Sequence, residues 1–157
     1  MSQETDGKKM IAVNKKAHFN YHILETFQAG IALMGTEVKA LREKRVQMGE
    51  ANVGINNGEA FLYNCHIAEY SHGNINNHEP LRIRKLLLHR KEINRFVGFI
   101  REQGHTIIPL RIYFQRGKVK VDIAHAKGKK LFDKRDDMKK KVADREIAQN
   151  LKRNLRQ

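Results

Sequence analysis

Long apolar runs and paired cysteines are both missing from this 157-residue sequence. No apolar run reaches membrane-spanning length, and the polar N-terminus is unlike a secretory signal. The single cysteine, Cys65, has no partner for a disulfide within the chain and lies in an apolar run, which predicts a core position. These absences predict one domain in the reducing cytoplasm.

Acidic residues are scarce relative to basic ones. The chain has 31 Lys and Arg against 17 Asp and Glu, a formal charge of +14. Residues 127–157 hold 12 of the basic and 5 of the acidic residues, so this short tail carries as much net charge (+7) as the 126 residues before it. Such an uneven excess favours a polyanionic partner, either nucleic acid or an anionic membrane surface.

Catalytic and metal-binding signatures are also absent. There is no phosphate-binding Gly-Lys-Ser/Thr loop and no Gly-x-Ser-x-Gly motif. His18 and His22 fall at a turn-to-strand junction, and three further histidines lie six residues apart with no adjacent cluster of cysteine or carboxylate: His66, His72 and His78. Glu37 and Glu69 show no sign of convergence. The sequence therefore predicts a protein that is not an enzyme and holds no metal or cofactor.

Two helices are indicated by their start and stop signals. Thr36 begins the first as a cap, with Glu37 in its first turn and basic residues gathered at its end. The second spans about residues 90–103, has apolar residues at helical spacing and stops at Gly104. A short helical turn capped by Asn14 is expected over residues 14–20.

Strand signals are more numerous than helix signals. Residues 21–26 and 31–34 indicate two strands separated by a turn or bulge at Ala29-Gly30. Residues 51–55 and 60–67 flank the hairpin signal Asn56-Asn57-Gly58. Residues 108–114 and 119–123 alternate across a turn at 115–118, and basic residues occupy outward positions of this hairpin: Arg111, Arg116, Lys118 and Lys120.

Short antiparallel strands with two flanking helices predict a mainly β fold, a closed barrel of the oligonucleotide-binding (OB) type with a flexible basic C-terminal tail. The expected organisation is a disordered segment over 1–9, the barrel over 10–126 and the tail over 127–157. The loop at 71–80 lacks periodicity.

Two basic segments are candidate RNA contacts. Residues 127–135 hold five basic residues and one aromatic, Phe132, which suits a sugar-phosphate backbone and a stacking base. A solvated linker is the alternative for such a run. Residues 78–91 mix basic and apolar residues, and Arg82 and Arg84 share one side of a strand. A solvated strand face and an RNA contact fit that pattern equally well.

Four segments together resemble the SmpB family, the SsrA-binding proteins of bacterial trans-translation. They occur in the family order and are specific as a set: 28–42 (QAGIALMGTEVKALR), 58–63 (GEAFLY), 82–89 (RIRKLLLH) and 126–135 (AKGKKLFDKR). The resemblance extends from about residue 11 to the end of the chain. It implies an OB barrel that binds the tRNA-like domain of transfer-messenger RNA and delivers it to stalled ribosomes.

The resemblance further implies that the protein stands in for the missing anticodon arm, with its tail folding as a helix in the empty mRNA channel. Elongation factor Tu would then be an indirect partner, through the charged RNA, and no membrane would be involved. Together with the basic segment, the resemblance gives a predicted RNA-binding set: Gln28, Arg82, Arg84, Lys85, Leu87 and His89. The predicted decoding-centre and tail set is Lys127, Lys129, Lys130, Phe132, Asp133, Lys134, Arg135 and Leu151.

Three positions depart from common family residues. Gln28 stands where Glu is frequent, His89 where some members have Asn, and Phe132 where His or Tyr is frequent. Each keeps hydrogen bonding or stacking, although Gln28 loses a charge and Phe132 loses a polar contact.

The tail itself predicts a helix from about Met138. Ile147, Leu151 and Leu155 recur every four residues and form a thin apolar stripe. An isolated helix of this length is marginal in water, so the tail is expected to be disordered when free and to order against ribosomal RNA. The residues alone leave three alternatives: a general basic ribosomal or single-strand RNA-binding protein, a membrane-surface protein, and an enzyme such as a small RNA nuclease or deaminase. The missing metal or acid-base constellation argues against the enzyme.

Overall fold

A computed structural model describes residues 7–72 and 76–156. Nine strands are present in this part of the chain: β1 (Lys8–Val13), β2 (Tyr21–Ile31), β3 (Val46–Gln47), β4 (Asn52–Asn56), β5 (Glu59–Tyr63), β6 (His66–Ile67), β7 (Arg84–Leu87), β8 (His105–Gln115) and β9 (Lys118–Gly128). The helices of the described residues are α1 (Ala17–Asn20), α2 (Gly35–Arg42), α3 (Arg90–Arg101) and α4 (Leu131–Leu155).

Seven strands form one antiparallel sheet that closes on itself. Its order is β1-β8-β4-β5-β7-β2-β9, and β9 pairs again with β8. Few residue pairs join the strands at two places. β4 pairs with β8 only through Val53 and Ile107, and β2 pairs with β7 through two residue pairs. The predicted mainly β fold of the OB type is confirmed, as an incompletely closed barrel with flanking helices.

Both predicted hairpin turns are confirmed by their backbone angles. Asn57 and Gly58 have φ values of 52° and 74°, and Arg116 and Gly117 have 52° and 75°. Two successive positive φ angles define the type I′ turn, whose twist matches that of the strands it joins. The predicted strand over 60–67 is divided, because Asn64 has a φ of 58° and β6 pairs with β3 in a separate small sheet.

The prediction of a turn or bulge at Ala29-Gly30 is wrong, because β2 runs unbroken and in register through both residues. Its register shift lies instead between Ile23 and Glu25. Gly30 serves close packing: a Cβ at this position would lie 3.2 Å from Cβ of Leu87 on β7. Glycine at this place therefore permits a close approach of two strands rather than a change of chain direction.

Most of the barrel interior is apolar, and α3 packs against it. Phe96 of α3 is fully buried and meets the ring of Phe27 edge-on, with centroids 4.8 Å apart. Cys65 is buried as predicted, and burial raises the pKa of its thiol to about 11, so the thiol stays protonated at neutral pH. The interior cluster also includes Leu41, Leu62, Leu86, Ile107, Ile112, Val121 and Ile123.

The ordered body begins earlier than the sequence pattern predicts. β1 starts at Lys8 and pairs with β8, so Lys8 and Lys9, expected in the disordered segment over 1–9, lie in a strand; residues 1–6 lie outside the described residues. The Asn14 side chain does not cap the following turn as predicted, since its Nδ2 donates a 3.0 Å hydrogen bond to the Pro109 carbonyl. The loop at 71–80 is described except for residues 73–75.

The predicted tail helix is present as α4, and it starts at Leu131 rather than near Met138. The earlier start is explained by a cap: the Asp133 carboxylate accepts the Lys130 N–H at 3.3 Å. None of the described residues of α4 is buried. No helix in the described part of the chain combines the length and apolar character needed to cross a membrane.

Candidate nucleic-acid interface

An open groove of about 600 Å³ lies where β2, β5, β7, β9 and the start of α3 meet. Hydrogen-bonding and basic side chains line much of it, and Leu87 forms part of its floor while 54 % exposed. A large exposed apolar side chain among cations provides a surface for a base or ribose as well as for phosphate. The polar lining residues are Gln28, Glu59, Lys85, His89, Arg90, Glu92 and Lys120.

Successive side chains of β7 point to opposite faces of the sheet, and this decides which residues of the 82–89 segment reach the groove. Arg84 and Leu86 point inward and are buried, whereas Lys85 and Leu87 point outward. The Lys85 ammonium lies 3.1 Å from the Glu59 carboxylate, an exposed pair that is only weakly stabilising and can exchange for a phosphate. Lys85 and Leu87 therefore face the groove, and their contact with RNA stays a prediction.

Arg84 is a member of the predicted RNA-binding set, but its burial leaves it no surface with which to contact RNA. Its side chain is 0 % exposed, its Nε donates to Glu37, and its Nη1 donates to the Cys65 carbonyl at 2.8 Å. Arg82 approaches the same carboxylate at 2.5 Å and is one-third exposed. Arg84 is therefore a structural cation. The strand period places both arginines on one face, and on that face both contact Glu37 of α2, which leaves only Arg82 partly exposed.

Glu37 is the anion of this buried cluster, with a 0 % exposed side chain. Burial alone raises the pKa of its carboxyl. Hydrogen bonds from Arg82, from the Met34 N–H and from Arg84 outweigh that effect and hold the pKa below its usual value. The predicted place of Glu37 in the first turn of α2 is confirmed, and its carboxylate accepts the Met34 N–H at 2.7 Å. Its larger role is to neutralise two arginines.

The N-terminus of α3 opens onto the groove. His89 directly precedes the helix, its N–H donates to Glu92 at 3.2 Å, and its side chain is exposed. Arg90 follows and donates to the Gly58 carbonyl at 3.1 Å. The partial positive charge of a helix N-terminus adds to these cations and favours an anion.

Two basic groove residues are missed as site residues by sequence reasoning. Lys120 comes from β9, where the sequence marks it only as one of several outward cations, and Arg90 is assigned to the helix start. The register supplies the missing information: Gly30 of β2 is paired with Lys120 and also with Leu87. Residues distant in sequence therefore meet at one point on β2.

Gln28 lies at the groove with its amide already bound. Its Nε2 donates to the Tyr113 hydroxyl at 2.6 Å and to Gln115 Oε1 at 2.8 Å. The Tyr113 hydroxyl in turn donates to Asp122 at 2.6 Å. Gln28 is thus held in one orientation by the β8–β9 hairpin.

The predicted tail residues lie elsewhere, at the opposite end of β2. Lys129 donates to the His18 carbonyl at 2.7 Å and pairs with Asp137 of α4, while Asp133 lies 3.5 Å from the His22 ring. Phe132 is 59 % exposed, so its ring remains accessible. The other predicted members are exposed or half-buried at the end of β9 or on α4: Lys127, Lys130, Lys134, Arg135 and Leu151.

The separation of the two regions follows from strand geometry. Gly30 at the groove and His22 at the tail are eight residues apart on β2, which at roughly 3.3 Å per residue is about 25 Å. The fold therefore holds two distinct basic regions, a concave groove and an exposed helix, rather than one continuous patch.

The histidines considered as metal ligands do not converge on a metal site. His78 is buried, donates from Nε2 to the Ile67 carbonyl at 2.9 Å, and lies 2.9 Å from the Thr36 hydroxyl through Nδ1. Both of its ring nitrogens are thereby used. Across residues 7–72 and 76–156, no group of three or more His, Cys, Asp or Glu side chains has a metal-binding arrangement.

Comparison with known proteins identifies the family of this chain. The family model described as SmpB protein matches residues 11–153. The chain belongs to the SmpB family. An SsrA-binding protein from Thermosipho africanus is 58 % identical over 147 residues, covering 93 % of this chain and 99 % of the relative. One from Pelobacter propionicus is 55 % identical over 146 residues, covering 93 % and 96 %.

A solved structure is also similar to this SmpB family member. It is described as "tmRNA-SmpB: a journey to the center of the bacterial ribosome", and its matching chain is 45 % identical with a TM-score of 0.66. The match covers 76 % of this chain and 85 % of the solved one. The resemblance inferred from four sequence segments is thereby confirmed.

Three of the four SmpB segments are far apart in sequence but lie together in the fold. Residues of 28–42, 58–63 and 82–89 all line the groove. The fourth segment, 126–135, contains the end of β9 and the first turn of α4. Three of the four family segments thus build one surface, and the fourth begins the tail.

Proposed function

We propose that this SmpB family member is an RNA-binding protein of trans-translation, acting in the cytoplasm. The groove binds the tRNA-like domain of transfer-messenger RNA, and the tail contacts the decoding centre and the mRNA channel of a stalled ribosome. The contacting set is Gln28, Lys85, Leu87 and His89 in the groove, with Arg82 at its margin. Elongation factor Tu is an indirect partner through the charged RNA, and the protein itself performs no catalysis.

The observation that carries this proposal is the presence of two basic regions that lie at opposite ends of β2, about 25 Å apart. A protein that bridges an RNA and a ribosome needs two surfaces that do not compete. The groove is concave and combines cations with an apolar floor, as a folded RNA requires. The helix α4 has the exposed cations and apolar stripe that suit ordering against ribosomal RNA.

The groove is tested by removing two of its cations. We expect Lys85→Ala with Lys120→Ala to weaken binding to transfer-messenger RNA by at least about tenfold, because charge-assisted hydrogen bonds contribute about 1.5–3 kcal/mol each. The salt dependence of the affinity should become shallower, by about 0.9 log unit per log unit of salt for each duplex phosphate that is no longer neutralised. Titration of labelled RNA at several salt concentrations measures both quantities.

The matched control removes the same charge from the tail, through Lys139→Ala with Lys152→Ala, both exposed on α4. This pair should leave affinity for the free RNA nearly unchanged. Equal weakening by the two pairs would contradict the groove as the recognition surface and would favour a general basic RNA-binding protein.

A further inference from the structure

The Gln28 side chain is bound at one end of a hydrogen-bonded chain across three strands. Gln28 lies on β2, Asp122 opposite it on β9, and Tyr113 on β8. The chain runs from Gln28 Nε2 to the Tyr113 hydroxyl and from that hydroxyl to Asp122 Oδ1, with both links 2.6 Å long. Gln28 Nε2 also donates to Gln115 Oε1 at 2.8 Å.

The direction of every bond in this chain is fixed by the carboxylate at its far end. An ionised carboxylate has no proton to give, so Asp122 must accept and Tyr113 must donate its single hydroxyl proton to it. The Tyr113 oxygen is then an acceptor toward Gln28. Gln28 must therefore turn its NH₂ group, and not its carbonyl, toward Tyr113.

Tyr113 is suited to hold this arrangement. Its ring is fully buried and is covered by the Lys8 ammonium, 4.9 Å from the ring centroid. Burial, and then the bond to Asp122, raise the pKa of its hydroxyl to about 12, so the proton stays in place at neutral pH. The Arg111 guanidinium lies 3.3 Å from the other oxygen of Asp122 and supplies a countercharge to that carboxylate.

We propose that Tyr113 and Asp122 are positioning residues that hold Gln28 as a hydrogen-bond acceptor toward RNA in the groove. With both amide protons bound inside the protein, Oε1 is the atom that remains for a ligand, and no partner occupies it among the described residues. This oxygen selects a donor on the RNA, such as an amino or imino N–H of a base edge or a ribose 2′-hydroxyl. The inference rests on the proposed function, since it concerns the RNA bound in that groove.

The decisive variant reverses the direction of the chain. Asp122→Asn can offer an NH₂ group to Tyr113, which frees the Tyr113 proton to be donated to the Gln28 carbonyl. The NH₂ group of Gln28 would then face the RNA donor. The hydrogen bond from the RNA to Gln28 Oε1 would be lost, and two hydrogen-bond donors would face each other. We expect affinity for transfer-messenger RNA to fall about fivefold to tenfold. A charge effect alone would give the opposite result, because removing an anion strengthens binding to RNA.

A second substitution restores the acceptor. Gln28→Glu in the Asp122→Asn background supplies a carboxylate that accepts from Tyr113 and still presents an oxygen to the RNA. The double variant has the same net charge as the original chain, and we expect its affinity to return to within about twofold of the original. Asp136→Asn on the exposed face of α4 is the matched control for removal of a carboxylate, and it should not weaken binding.

The outcomes separate the two proposals. Unchanged or tighter binding by Asp122→Asn, in a chain that still prefers transfer-messenger RNA, would overturn the positioning role alone. Weakening that Gln28→Glu fails to restore would assign Asp122 a purely structural role and would also overturn it. An original chain with no preference for transfer-messenger RNA would instead overturn the proposed function.

A further variant covers the case in which Asp122→Asn fails to fold. Tyr113→Phe keeps the buried ring and removes the hydroxyl that fixes Gln28, so it should weaken binding about fivefold. Gln28→Leu should then add little further weakening in that background. Additive effects would show that Tyr113 and Gln28 act independently and would overturn the inference.

Discussion

Glu37→Gln should lower the free energy of unfolding by roughly 3–5 kcal/mol, the range for breaking a buried ion pair on one side. The Arg84 side chain is 0 % exposed and would keep its charge without a countercharge. Glutamine retains the size and a carbonyl acceptor, so the destabilisation is electrostatic and does not come from a cavity. A small domain has only about 5–15 kcal/mol of stability in total, and this variant should be close to unfolding.

Chemical denaturation of the original chain and of the Glu37→Gln variant measures this difference in the free energy of unfolding. The control is Glu59→Gln, the same substitution at a carboxylate that pairs with Lys85 on the surface. It should cost at most about 1 kcal/mol. Equal stability of the Glu37 and Glu59 variants would contradict the view that Glu37 and Arg84 form the electrostatic centre of the α2 packing.

Removing α4 should abolish ribosome rescue while leaving RNA binding intact. The cut is placed after Lys130, because β9 runs to Gly128 and the Lys129 N–H donates to the Asn20 carbonyl at 2.9 Å. The body should still fold, since no described residue of α4 is buried. Affinity for transfer-messenger RNA should stay within about threefold of the full chain, because the groove retains its charge-assisted hydrogen bonds.

A reconstituted translation reaction on a message without a stop codon measures the second half of this prediction. Tagging of the nascent chain should be undetectable with the truncated protein and normal with a chain shortened only after Leu155. Tagging at the full rate without α4 would contradict the tail's proposed place on the ribosome. Failure to bind RNA as well would show that the tail belongs to the recognition surface.

Local signals in the sequence predict most of the secondary structure. Asn57-Gly58 and Arg116-Gly117 adopt the positive φ angles that their hairpins require. The helix start at α3 is visible because Glu92 stands three residues after His89, and that hydrogen bond forms. These features depend on residues close together in sequence, whose conformational preferences act without tertiary help.

The wrong predictions share a different cause. The sequence around Gly30 indicates a turn, but the role of this glycine comes from the approach of Leu87, 57 positions later in the chain. The basic neighbours and strand period of Arg84 are those of an exposed face that contacts RNA. Only the packing of α2 against β7 buries it beside Glu37. No local pattern distinguishes a neutralised arginine from a solvated one.

The functional residues also divide into those that the sequence indicates and those that only the fold reveals. Family resemblance assigns Gln28, Leu87 and His89, and the structure brings all three to one groove. The network that orients Gln28 joins β2, β8 and β9, and no spacing in the sequence indicates it. Its members become visible only when the strand register is known.

Competition binding between transfer-messenger RNA and bulk tRNA tests the central claim most directly. The full chain is titrated against labelled transfer-messenger RNA at near-physiological salt, with unlabelled tRNA as competitor. Selective recognition by the groove predicts that a large molar excess of tRNA leaves most of the labelled complex intact. Displacement at an equimolar concentration of tRNA would contradict selective recognition and would favour a general basic RNA-binding protein.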